Sequence, residues 1–150
     1  MNDRIKRTWE WILILAFSGY LYVCMELVYR GTSDITMMFC ASICVVPMFA
    51  LNEWFTYEMN FFKQIFICTI FCTIVEFIFG LIFNMDYHIW DYRNMPLNIM
   101  GLVCPQFMII WAAISAAIIP LMDFIDYYIF NEGEAPYYVL SKHKRIYMKF

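Results

Sequence analysis

The sequence predicts an all-α, polytopic integral membrane protein: about four transmembrane helices in a bundle, with both termini on the same side. Three observations predict it. The 150 residues are 63% hydrophobic and only 15% charged, whereas a soluble domain carries about 25% charged residues. A water-soluble domain of this length would still expose roughly 30% of its chain area, and too little charge is available to cover that surface. The apolar residues come in long runs without strict alternation, which favours helices over a β-barrel.

A spanning helix needs about 17–25 mainly apolar residues. The first expected span is about 9–29, with Glu26 near its end. The second is about 35–51, with Pro47 inside it. The third is about 61–85, interrupted by Glu76, and the fourth is about 100–122. The chain thus divides into a four-helix transmembrane domain, 1–122, and an interfacial or cytoplasmic tail, 123–150. The first apolar segment is long and has no small-residue cleavage site, so it is expected to be a retained span and not a signal peptide. In the tail, IDYYIF is expected to extend the last helix along the interface. NEGEAP is expected to form a turn, and SKHKR a basic patch near anionic lipid.

The ten basic residues set the expected orientation. Arg4, Lys6 and Arg7 precede the first span, Lys63 marks the second loop, and Lys142, Lys144, Arg145 and Lys149 follow the fourth span. Only Arg30 and Arg93 fall on the other side. The positive-inside rule then places both termini in the cytoplasm and the Arg30 and Arg93 loops outside.

Acidic side chains inside spans are costly, about 2.5–3.5 kcal/mol at a helix centre on insertion scales, and usually face the bundle interior or a wet cavity. Glu26 and Glu76 are therefore candidate ligand-binding residues. Their plain alternatives are an interfacial residue reaching to water and a structural hydrogen bond between helices. Arg30 follows Glu26 at i+4, a spacing that allows pairing. Between the third and fourth spans lies IWDYRNMPLNIMGLVC. Trp90 and Tyr92 suit a membrane interface, and Asp91 and Arg93 need not pair with each other. Asn94 is a candidate cap for the fourth helix, Pro96 fits its first turn, and Asn98 then lies near its outer end. Gly101 permits close backbone approach. Glu26, Arg30, Glu76, Asp91, Arg93 and Asn98 all map to the outer third. The expectation is one polar site open to the outside, lined by the first, third and fourth helices, with Trp90 and Tyr92 beside it.

The six cysteines lie in apolar stretches, which argues against a secreted disulfide framework. Cys40 and Cys44, and Cys68 and Cys72, are spaced i,i+4, and with twelve methionines they suggest at most a soft-metal path. The metal signal is weak, and buried apolar packing accounts for them better. His88 and His143 are isolated. No metal site and no cofactor is expected, and no phosphate loop, nucleophile elbow or HExxH pattern occurs. Nothing points to nucleic acid.

These residues resemble a family of small bacterial membrane proteins classed as ABC-transporter permeases, of the CmpB type or type IV. That family shows a WDYS-like segment, then P-x-N-x-x-G-x-x-C, then a tryptophan in the next helix. The matching residues here are Trp90, Asp91, Tyr92, Pro96, Asn98, Gly101, Cys104 and Trp111. Glu76 and Gly80 match an upstream pair, and Glu26 and Arg30 match the end of the first helix. The resemblance covers roughly 19–115. It departs where the family carries a glycine- and proline-rich NRG…GP…PIYG segment. This chain reads SDITMMFCASICVVP there, and only Pro47 echoes the pattern. The resemblance implies a bacterial inner (plasma) membrane location and a role in transport, with structural roles for Pro96, Gly101, Cys104 and Trp111.

The leading functional expectation is a permease-like transport component, and the pattern favours a non-enzymatic role. The expected partners are the lipid bilayer and either a second copy or another membrane subunit, because four helices are few for a solute pathway. The alternatives are a membrane-embedded enzyme or lipid-headgroup binder, with Glu76 and Asp91 as acid and base and Arg93 on a phosphate, or an accessory or regulatory membrane subunit.

Overall fold

The structure is a computed structural model that describes residues 3–55, 57–141 and 144–148. Four helices dominate it: α1 (Asp3–Arg30), α2 (Ile35–Trp54), α3 (Phe61–Phe83) and α4 (Pro105–Phe124). Each is long and apolar enough to cross a membrane. The chain is thus a four-helix, all-α membrane protein, with one small hairpin added at its end: β1 (Tyr137–Ser141) pairs antiparallel with β2 (Lys144–Tyr147).

The boundaries differ from the sequence reading where polar residues find local partners. α1 already begins at Asp3 because Glu10, itself buried, is reached by Lys6 at 3.5 Å and Arg7 at 3.1 Å from the preceding turn. α2 continues through Pro47 to Trp54. The expected start of the fourth helix is corrected: α4 begins at Pro105, which fits a first helical position. Asn94, Pro96 and Asn98 lie in turns well before it. Beyond α4 the helix widens into a π-turn, Ile125–Ile129, closed by Phe130 N donating to Ile125 O at 3.1 Å. Of the basic patch expected in the tail, Lys144 and Arg145 lie on β2, and Lys142 and His143, like Lys149, lie outside the described residues.

The chain forms two compact units. Unit 1 comprises Met1–Val46 and Ile74–Pro105. It contains α1, the start of α2, the end of α3 and the connection to α4. Its α1 and α2 approach closely at Gly19. Ser42 Oγ, on α2, lies 2.8 Å from the carbonyl oxygens of both Leu15 and Met38. A Cβ on Gly19 would stand 2.3 Å from Ser42 Oγ and 2.6 Å from the Met38 carbonyl. Only glycine fits that crossing.

Unit 2 comprises Pro47–Thr73 and Gln106–Phe150. Its core gathers Met48, Phe49, Cys68, Cys72 and Ile119. The hairpin is fastened to the α2–α3 connection. Asn60 Nδ2 donates to Leu140 O at 2.9 Å, and Glu58 accepts from both Tyr137 and Arg145 at 2.9 Å.

Gly19→Ala places a methyl group against backbone and is expected to destabilise the protein by about 1–3 kcal/mol, read as a lower unfolding midpoint in detergent.

Candidate functional site

The polar candidates gather in unit 1, around the end of α1, the last turns of α3 and the segment 84–104. Glu26 and Glu76 are both buried, at 8% and 3% exposure. Glu26 meets Arg30 Nη1 at 3.1 Å, the i+4 pair expected from the sequence, and accepts a hydrogen bond from Ser33 Oγ at 2.6 Å. Arg30 also donates to the carbonyl of Ile89 at 2.7 Å, so one guanidinium joins the end of α1 to the segment after α3. Glu76 accepts a 3.0 Å hydrogen bond from the Tyr92 hydroxyl. Burial, followed by the charge of Glu76, pushes the Tyr92 phenol well above its usual range. Tyr22, one turn before Glu26, lies within electrostatic reach of Glu26, Glu76 and Tyr92.

The segment 84–104 is held from inside by Asn84. This fully buried residue ends the α3 region and donates to Trp90 O at 2.6 Å. Its Oδ1 accepts from Ile89 N at 2.8 Å and Trp90 N at 3.4 Å. The Trp90 indole, buried with Ile89, donates to Leu102 O at 2.8 Å. Asn98 plays the same part in the next turn, donating to Met95 O and accepting from Gly101 N, each at 2.8 Å. Gly101 has φ +66°, and a Cβ there would meet Arg93 Cγ at 2.5 Å, so close approach and backbone conformation both require glycine. Leu102 in turn packs over Gly80, whose Cβ would stand 3.0 Å from it.

Asp91 and Arg93 do pair, which the sequence reading left open. Arg93 Nε and Nη2 reach the carboxylate at 2.9 and 2.7 Å, and Arg93 N bonds Oδ1 at 2.9 Å. Two residues apart are not neighbours on a helix, but they are in this turn. The guanidinium also lies 4.1 Å from the centre of the Tyr87 ring. Both side chains are exposed, and hydrogen bonds from Arg93 hold the Asp91 carboxyl below its usual range.

The arrangement therefore brings Glu26, Arg30, Glu76, Trp90 and Tyr92 together as an inner cluster. Asp91, Arg93 and Asn98 form the exposed turn beside it. The connecting segment takes the place expected of the fourth helix, and Trp111 of that helix belongs to unit 2. Cys104 is buried in unit 1, with Pro96 exposed in its turn. Sequence reasoning missed Tyr22, Ser33 and Asn84. Tyr22 was signalled by its i−4 spacing from Glu26, and Asn84 by a lone amide ending an apolar run. Ser33 carries no such signal. All six cysteines carry free thiols.

Asn84→Ala strands the peptide groups of Ile89 and Trp90. A loss of about 1–3 kcal/mol for each buried group left unpaired is expected, seen as a lower melting midpoint and faster amide exchange at Ile89 and Trp90. Asp91→Ala is expected to leave the midpoint unchanged, since exposed pairs contribute little. In wild type the Asp91 carboxyl titrates below the ordinary carboxylate range by NMR, and Arg93→Gln returns it upward.

Residues 9–140 match the model of a family described as "Putative ABC-transporter type IV". No curated protein and no solved structure matches the chain.

Proposed function

The chain belongs to that ABC-transporter type IV family, and from this premise we propose that it is a permease-like transport component whose polar site is the inner cluster of unit 1. The observation that carries the reading is Glu76, a carboxylate 3% exposed within a span-forming helix, with the Tyr92 hydroxyl of the connecting segment on it. Intramembrane carboxylates are expensive and most often mark a substrate or ion path. Glu26, Arg30 and Tyr22 give that path a second charged wall. In this reading the Arg30 and Arg93 loops face outward, both termini are cytoplasmic, and the site opens to the outside. A second copy or another membrane subunit completes the pathway. Energy comes from a partner, because the sequence itself carries no phosphate-binding loop.

The headgroup-binding alternative draws less support. It needs Arg93 for a phosphate, and that guanidinium is already engaged by Asp91 and stacked on Tyr87.

Two measurements test the proposal. Single cysteines at Asn94 and Glu134 report orientation: a membrane-impermeant maleimide labels the first in intact cells and the second only after permeabilisation. The reverse pattern overturns the orientation. For transport, cells with and without the protein are compared for uptake of a mixed panel of labelled amino acids, sugars and organic ions. At least one solute is expected to depend on the protein and to lose that dependence in Glu76→Gln at equal expression. Equal accumulation of every solute in both strains removes the transport reading.

A further inference from the structure

Unit 2 holds another buried carboxylate, apart from the outer cluster. Asp123, in the last turn of α4, is 4% exposed. Two donors meet at one of its oxygens. Asn52 Nδ2, from the last turn of α2, lies 2.7 Å from Oδ2, and the Tyr138 hydroxyl of β1 donates to the same atom. The other end of the Asn52 amide is left over: Oδ1 is buried and accepts no hydrogen bond.

That leftover acceptor carries information about Asp123. A carboxylic acid and a primary amide complete each other as a ring. The amide N–H donates to one acid oxygen, and the acid O–H donates back to the amide oxygen. The first half of the ring is present as the Nδ2–Oδ2 bond. The second half requires a proton on Oδ1 of Asp123. Turning the amide over leaves the requirement intact, because two oxygens would then face each other at 2.7 Å and need a proton between them. An ionised Asp123 leaves the buried Asn52 oxygen unpaired, which is unfavourable away from water.

No cation is among the groups that surround Asp123 in the interactions described for it. Asp126, buried in the π-turn, adds a second carboxyl. Tyr57, from the α2–α3 connection, has its phenol pushed up by burial and then by Asp123 and Asp126, with Glu134 and Glu53 adding to the same effect. Burial and Asp123 likewise push up the Tyr138 phenol. From α3 the neighbour is the Phe61 ring, 4.9 Å from that of Tyr138. On β2, Arg145 is engaged by Glu58. Phenols, carboxyls and an apolar ring therefore face the site.

We propose that Asp123 is a proton-binding site: it takes a proton from water onto Oδ1 and holds it against Asn52, while the hairpin covers the site through Tyr138. Release returns the proton to water, with no other bond made or broken. The site belongs to unit 2 and does not rest on the transport reading.

The test is infrared difference spectroscopy of the full chain in lipid nanodiscs, titrated from acidic to alkaline pH. Wild type is expected to show a protonated-carboxyl carbonyl band at neutral pH that disappears on alkalinisation. Asp123→Asn loses this band and Asp126→Asn keeps it. Tyr138→Phe, which removes a donor to the ionised form, makes the band persist to higher pH. Asn52→Leu shifts its frequency by removing the acceptor of the acid O–H, and this variant decides the matter if Asp123→Asn does not fold. A neutral-pH spectrum unchanged by Asp123→Asn, or a band unmoved by Asn52→Leu, overturns the proposal.

Discussion

Taking a carboxyl group out of water obliges the chain to bring it a partner, and most of the polar architecture follows from that obligation. Desolvating a charge is costly wherever the surroundings are apolar. Glu10 is met by Lys6 and Arg7, Glu26 by Arg30 and Ser33, Glu76 by Tyr92, and Asp123 by Asn52 and Tyr138. In three of these cases a partner comes from a connecting or terminal segment. Ser33 fixes the α1–α2 turn, Tyr92 the segment after α3, and Tyr138 the C-terminal hairpin. In those three cases the buried acid does two things at once: it remains partnered away from water, and it helps to anchor a connecting or terminal piece of chain.

The same reasoning explains the side-chain amides of residues 84–104, Asn84 buried and Asn98 in the exposed turn. Irregular backbone beside lipid is tolerated only when its N–H and C=O groups are satisfied from within the protein. Asn84 and Asn98 each supply a donor and an acceptor to the turns around them, and the Trp90 indole closes a further carbonyl. Arg30 closes another from α1. The segment is thereby fixed tightly enough to hold Tyr92 against Glu76. Its exposed ion pair, Asp91 with Arg93, shapes the turn but is solvated and contributes little to its stability.

The helices were readable because apolar length alone decides them, and Glu26 with Arg30 because helical spacing does. The start of α4 was not. Residues 97–104 are nearly as apolar as a helix, but Leu97, Met100 and Gly101 adopt positive φ, and the hydrogen bonds that stabilise those turns come from residues distant along a helix yet near in the turn. The pairing of Asp91 with Arg93 was left open for the same reason, since spacing rules presume a regular element. The hairpin was masked by charge. YYVL has the aromatic and branched residues of a strand, but the adjoining SKHKR directed attention to lipid. Asp123 was overlooked because it closes the apolar run of α4, where an acidic residue looks like a boundary. Only its neighbours in space, Asn52 and Tyr138, mark it as buried.

The departure of α2 from the family pattern bears on the proposed outer site in a limited way. Where the family carries glycine and proline, this chain starts a regular helix. Asp34 Oδ1 accepts from both the backbone and the hydroxyl of Thr36, at 2.8 and 2.6 Å, which secures the first turn. A helix so begun lacks the exposed backbone groups that a glycine- and proline-rich entry would offer to a ligand. Yet the partners of Glu26 and Glu76 come from α1, the turn after it, and the segment after α3. The contribution of α2 to unit 1 at its crossing with α1 is packing, through Ser42 against Gly19. The departure in α2 therefore leaves the carboxylates and these partners in place.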